Sequence, residues 1–302
     1  MFYFYYLGVL VMIVFILQAV AFLTLLERHL LGGSQCRIGP NKVSYNGLLQ
    51  AVFDGFKLMK KEQLLPYFSS FFSFLFVPLF AFIIMVFFWF TLPYFFSFIF
   101  FEYSGLFLLC VMAFSVYPVM LSGVFSNSNY SFVGGLRSSS QSYSYEIAFS
   151  LYLLIFFVFN KGLFLFFNFN FIFFFFLLPW IVMILGDLHR APFDFSEGES
   201  EWVSGFKVKY SSVGLVSLFL GEYGNMLYFS CWVSGLFLKM SFFVFYYKLF
   251  VIVFSRISNP RFRFEKLSNL CGLNLLPWGF YFLGLYYVVF VMNLFSLKFL
   301  KM

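Results

Sequence analysis

Three carboxylates, Glu146, Asp187 and Glu222, stand inside stretches that are otherwise almost wholly apolar. An ionised side chain in hydrocarbon costs at least about 2.5 kcal/mol, so such acids persist where they line polar cavities or pass protons. Downstream of Asp187 come Asp194, Glu197, Glu199 and Glu201. Asp187, Asp194, Glu197 and Glu201 are spaced i, i+7, i+10 and i+14, which on a continuous helix would make one acidic stripe. Pro192 argues for a break, though two short helices could still stack their acidic faces, with Arg190 placed to pair with Asp187. Crowded carboxylates in a low dielectric repel one another, and some then hold a proton near neutral pH. Such a cluster could pass protons or answer a nearby change of charge. From the residues alone, a solvated acidic loop accounts for the spacing equally well.

Other chemistries are poorly represented. The cysteines Cys36, Cys110, Cys231 and Cys271 are dozens of residues apart, and His29 and His189 are the only histidines. That argues against a zinc, haem or iron–sulfur site made by this chain alone. There is no glycine-rich phosphate loop or dinucleotide fingerprint. If redox chemistry is involved, the electrons come from another subunit. The basic residues form no nucleic-acid motif, and the net charge of +7 follows from topology.

The elements that must hold these residues are membrane helices. The chain is 63% hydrophobic and 10% charged over 302 residues, far from the roughly 25% charge of soluble domains. Phenylalanine alone supplies 56 residues, a bias that a thymine-rich genome, as in animal mitochondria, writes readily. Eight windows are long and apolar enough to span a bilayer: about 3–26, 68–92, 101–121, 143–159, 171–188, 213–234, 236–254 and 277–297. The first, lacking a basic n-region and a small-residue cleavage site, reads as a retained span. With eight spans, Lys161, Lys239, Lys298 and Lys301 fall on one side and Lys248 inside the seventh span, leaving 14 of the 19 basic residues on the other side. The side that is not translocated keeps such an excess, and one span more or fewer would scramble it. Both termini then lie on the poorly charged side. The expected fold is a single all-α polytopic domain with long polar loops on one side, including an acidic loop at about 187–212. Within the first charged loop, Leu49, Val52, Phe53, Phe56 and Met59 recur at helical spacing beside Asp54, Lys57, Lys60 and Lys61. This predicts an amphipathic helix over about 48–61, lying either on the membrane surface or against the protein's own loops.

That loop reads Glu27-Arg28-His29, Gln35-Cys36-Arg37-Ile38-Gly39-Pro40-Asn41-Lys42-Val43, Gly47-Leu48-Leu49-Gln50 and Asp54-Gly55-Phe56-Lys57-Leu58. Further polar blocks carry Gly135-Leu136-Arg137 with Ser144-Tyr145-Glu146, Arg190-Ala191-Pro192-Phe193-Asp194 with Glu197-Gly198-Glu199, and Pro260-Arg261-Phe262-Arg263. In this order the blocks resemble the subunit 1 family of respiratory complex I, the proton-pumping NADH:quinone oxidoreductase. The resemblance covers essentially the whole chain, and all four blocks fall on the side chosen by the charge count. There are departures: Asp187 and Lys209 stand where the family has Glu, Ala51 where it has Pro, His29 where it has Lys, Glu265-Lys266 for Asp-Gln, and Gly272-Leu273 for Trp-Lys. Lys209 reverses a charge, so no acidic role is carried to that position.

The resemblance implies a core membrane subunit in an invertebrate's mitochondrial inner membrane, with its charged loops facing the matrix. Its substrate would be ubiquinone or rhodoquinone, and FMN and iron–sulfur clusters would reside in partner subunits of the complex. A quinone tunnel would run beside the first span and the surface helix, near Arg28, Arg37, Asp54 and Arg263, with Phe219 against the ligand. Glu146, Asp187, Asp194, Glu197, Glu199, Glu201 and Glu222 would form the proton relay. The residues by themselves also allow Arg28 and Arg37 to snorkel or to pair with neighbours such as Glu27, and Phe219 to be simple packing. Two other functions remain open at this level: a stand-alone proton-coupled transporter, and a passive anchor for a peripheral redox arm.

Overall fold

The computed structural model describes residues 2–67, 69–92, 103–160, 162, 176–194, 205–238 and 242–299. Among them there are helices and turns and no strand. The helices are α1 (Phe2–Ser34), α2 (Leu48–Lys60), α3 (Phe71–Phe90), α4 (Ser104–Phe125), α5 (Asn129–Asn160), α6 (Leu177–Asp187), α7 (Ser212–Leu238), α8 (Phe242–Ser258), α9 (Phe264–Asn269) and α10 (Leu276–Phe299). A π-helical turn, Leu270–Leu275, joins α9 to α10. Each expected span overlaps a helix. By length and composition, Tyr6–Ser34, Phe71–Phe90 and Ser104–Phe125 could cross a membrane on their own. The fifth expected span is described only from residue 176, as the 11-residue α6.

Two expectations about loops are corrected. The Glu27-Arg28-His29 motif lies on α1, which continues to Ser34. The polar stretch from Asn129, expected to precede a span starting near 143, is the first half of the 32-residue α5. What allows it to be helical inside the bundle is size. Gly134, Gly135, Ser138, Ser139 and Ser142 are small, and the serine hydroxyls donate to carbonyls three or four residues back, so these hydroxyls need no water. A Cβ on Gly123 of α4 would lie 2.7 Å from Ser131 O and 2.9 Å from Gly135 Cα. Backbones therefore touch at this crossing. On its other flank α5 presses on the turn Gly205–Lys207, where a Cβ on Gly134 would lie 3.1 Å from Gly205.

The α2 helix resolves the two readings of its apolar arc. Leu49, Val52, Phe53, Phe56 and Met59 are all exposed, so this arc is not docked on the protein's own loops. The adjacent arc, Ala51, Asp54, Gly55 and Leu58, faces α1 and α7. The loop before α2 is closed by a contact only glycine permits, Gly47 at φ +70° under the Pro40 carbonyl, and by His29 Nε2, which meets Asn46 O at 3.0 Å. The bundle interior is aromatic. Phe149, Trp180 and Trp232 form a mutual cluster with centroid separations of 4.7 to 5.4 Å, and Thr91 Oγ1 bonds the Tyr228 hydroxyl at 2.6 Å.

Gly123→Val should destabilise the detergent-solubilised chain by about 1–3 kcal/mol, because the α4–α5 crossing has no room to yield. A Gly8→Val substitution, where a Cβ meets nothing within 4 Å, should stay within about 0.5 kcal/mol. Thermal unfolding followed by tryptophan fluorescence checks both; equal midpoints would contradict the crossing.

Candidate functional site

The site is assembled around Glu27. This residue is one position before Arg28 in the first motif, but the α1 helix turns it inward, and it is only 4% exposed. Its Oε1 accepts from Arg190 Nη1 at 3.0 Å and also from Arg256 Nη1, while its Oε2 accepts from the Tyr223 hydroxyl at 2.8 Å. The Arg190 guanidinium also lies over the Tyr223 ring, 4.4 Å from its centroid. One carboxylate thus ties together α1, the turn after α6, α7 and α8. Burial works against the charge of Arg190, but Tyr223 and Glu27 more than restore it, so its pKa lies above the ordinary arginine value. The expected pairing of Arg190 with Asp187 is therefore replaced: α6 ends at Asp187, and the turn over 188–193 carries Arg190 to Glu27 instead.

Arg28, on the same helix turn as Glu27, points the other way. Its Nη1 bonds Asp54 Oδ2 of α2 at 2.7 Å, at a partly exposed position. Between α1, α2 and α7 lies a cavity of about 380 Å³. Val20, Ala21, Ala51, Leu58, Val216 and Leu220 make its apolar walls, Glu27, Arg28, Asp54 and Arg256 its polar end, and Phe219 part of its lining. A smaller cavity of about 160 Å³ lies beyond, lined by His189, Arg190, Asp194 and Glu222. Phe219, Tyr223 and Arg256 line both. A third, more open cleft of about 700 Å³, between the end of α1 and the loop before α2, contains Arg28, Arg37 and Lys42.

Of the residues expected at a quinone channel, Arg28, Asp54 and Phe219 thus share one cavity. Arg37 lines the neighbouring cleft, and Arg263, exposed just before α9, lines none of the three. Of the expected relay acids, Asp194 and Glu222 share the smaller cavity. Asp194 Oδ2 accepts from Arg261 at 2.9 Å, and Glu222 Oε2 accepts from Lys207 Nζ. Glu146 on α5 and Asp187 at the end of α6 act on each other electrostatically, and neither forms an ion pair among the described residues. The continuous acidic stripe is not formed between Asp187 and Asp194, because the chain turns at 188–193. Glu197, Glu199 and Glu201 lie outside the described residues.

Glu27, Tyr223, Arg256 and Lys207 were not singled out by spacing. Glu27 offered a signal, an acid inside a block of motif residues, whereas Tyr223 is one tyrosine among 20.

With this geometry in view, comparison with known proteins is decisive. The family model described as NADH dehydrogenase matches residues 7–287. The chain belongs to that family. It is 42% identical over 296 residues to the NADH-ubiquinone oxidoreductase chain 1 of Anopheles quadrimaculatus, covering 92% of this chain and 94% of the relative. The protein of the same name from Anopheles gambiae is 41% identical at the same coverage. That of Artemia franciscana is 39% identical, covering 91% and 95%. The resemblance read from the polar blocks is thereby borne out over nearly the whole length.

Burial decides which ion pair matters. Glu27→Leu would strand Arg190, 14% exposed in its side chain, and should cost about 3–5 kcal/mol. Arg28→Met, at a pair whose side chains are 49% and 43% exposed, should cost no more than about 1 kcal/mol. Thermal melts of the two variants test the ranking; a larger loss for Arg28→Met would refute the hub assignment.

Proposed function

We propose that this chain is a core membrane subunit of mitochondrial NADH:ubiquinone oxidoreductase that admits quinone between α1, α2 and α7 and links its reduction to proton movement. It sits in the inner membrane with eight spans, its charged loops on the matrix side against the peripheral subunits. Those subunits hold the flavin and the iron–sulfur clusters and deliver the electrons.

One observation carries the proposal: an apolar cavity, flanked by an amphipathic helix whose greasy arc faces outward, ends at the buried Glu27 with its partners Arg190, Arg256 and Tyr223. A quinone is a polar, nearly neutral ring on a long apolar tail. The walls suit the tail, and the polar end suits the carbonyl oxygens, which gain negative charge on reduction and are met by arginine and tyrosine donors. Phe219 offers its ring to the planar headgroup.

On the far side of Phe219, Tyr223 and Arg256 the second cavity holds Asp194 and Glu222. Charge appearing on the quinone would act across that wall on these acids, and through the bundle on Asp187 and Glu146. This chain's own part in catalysis is to bind, to exclude water and to hold or pass protons. The reduction itself belongs to the partners' cofactors.

Ala51→Phe fills the channel from α2 and should raise the quinone KM by about tenfold or more in the assembled complex; an unchanged KM would place the quinone elsewhere. Glu146→Gln should leave quinone reduction largely intact while lowering the protons pumped per quinone. Normal values for both would remove the relay and favour a passive anchor. Quinone reduction and pumping by reconstituted vesicles, measured together, provide the test.

A further inference from the structure

Lys207 has so far appeared only as the partner of Glu222, yet its side chain also reaches Phe219. It closes the short turn Gly205–Lys207 and is 3% exposed. Its Nζ donates to Glu222 Oε2 and lies 4.5 Å from the centroid of Phe219 and 5.4 Å from that of Phe206. Phe219 and Glu222 are three residues apart on α7, so they present one face to the same ammonium. We propose that Lys207 is a positioning residue for the channel wall: by holding the Glu222 carboxylate and the Phe219 ring at once, it makes the placement of the ring depend on the charge of the acid. The proposal rests on the channel reading above.

The root of the lysine is fixed. Gly205 adopts φ +51° and is pressed on Gly134 of α5, Phe206 is buried, and Tyr210 stacks on Phe74 of α3 with ring centroids 4.3 Å apart. The backbone is thus held in place where the ammonium meets Glu222 and the two rings. An ammonium stripped of water needs a carboxylate or the negative face of a ring, and here it has both. Phe219 lines both cavities, and Glu222 lines the polar one. When Glu222 is ionised, its carboxylate holds the ammonium over the Phe219 ring. When Glu222 takes a proton that hold weakens, and with it the tie between the acid and the Phe219 ring.

Other groups face Glu222 and set the field in which it titrates. His189, Arg190 and Asp194 come from the turn after α6, Arg256 from α8, and Tyr223 from α7, with Glu27 of α1 behind the two arginines. Both arginines are engaged by Glu27, whereas Lys207 reaches Glu222 in a direct hydrogen bond.

The test is made in the assembled complex, its amount read on native gels and its quinone kinetics in lipid vesicles. Lys207→Met should raise the quinone KM by about five- to tenfold with a smaller change in kcat, because the ring loses its tether and the reducing centre is untouched. Lys207→Arg, which keeps a cation that stacks on aromatic faces, should bring KM back to within about twofold. Lys207→Met combined with Glu222→Gln removes both charges, so it should assemble even if the single variant does not, and its KM should stay raised. A wild-type KM in Lys207→Met or in the double variant would overturn the proposal. Failure of both to assemble would overturn it too, since the pair would then be a folding element. Phe219→Ala separates this from the channel reading: no effect of Phe219→Ala on KM sinks the channel itself, whereas an effect of Phe219→Ala without one of Lys207→Met sinks only the role of the lysine.

Discussion

A carboxylate can be withdrawn from water inside a helical bundle only where cations and donors meet it, and Glu27 is met by two arginines and a tyrosine. This constraint organises the site. Arg190 must come from the turn after α6, Arg256 from the end of α8 and Tyr223 from the middle of α7, so each element is held in a particular register against α1. Between membrane helices the lipid offers little hydrophobic drive for association, because tails are as apolar as side chains. Close packing and internal polar contacts have to supply the specificity. In this chain the Gly123–Gly135 crossing, the serine face of α5 and the Glu27 cluster supply it.

The same cluster divides the site into two environments. On one side is an apolar cavity bounded by α1, α2 and α7; on the other a small polar cavity holding Asp194 and Glu222. Phe219, Tyr223 and Arg256 are common to both. Side chains shared by both linings let charge on one side be felt on the other, as the proposed coupling of quinone reduction to proton movement requires. Carboxylates elsewhere are treated differently. Asp54 and Arg28 pair where water screens them, and Glu146 and Asp187 act on each other without a paired cation among the described residues.

Much of this was legible in the residues and some of it was not. Glu146, Asp187 and Glu222 stood out because an acid in an apolar window is expensive, and all three are on helices. Arg28, Asp54 and Phe219, taken from the family resemblance, do share a cavity. The pairing of Arg190 was misjudged, because spacing along a chain says nothing about direction once a helix stops, and the turn at 188–193 reverses it. Lys207 was seen only as one of many basic loop residues, since its burial follows from how a short turn lies between α5 and α7. The polar start of α5 looked like a loop because its serines satisfy their hydroxyls within the helix.

The sequence by itself determined the class of the protein, the positions of its apolar segments, the amphipathic helix near 48–61 and the family, because hydropathy periods and motif order are properties of the linear chain. Tertiary structure alone decided which charges meet: Glu27 with Arg190 and Arg256, Arg28 with Asp54, Lys207 with Glu222. Electrostatic partnership is a matter of a few ångströms in space, and residues 163 and 229 positions away from Glu27 reach that distance only when the bundle has formed.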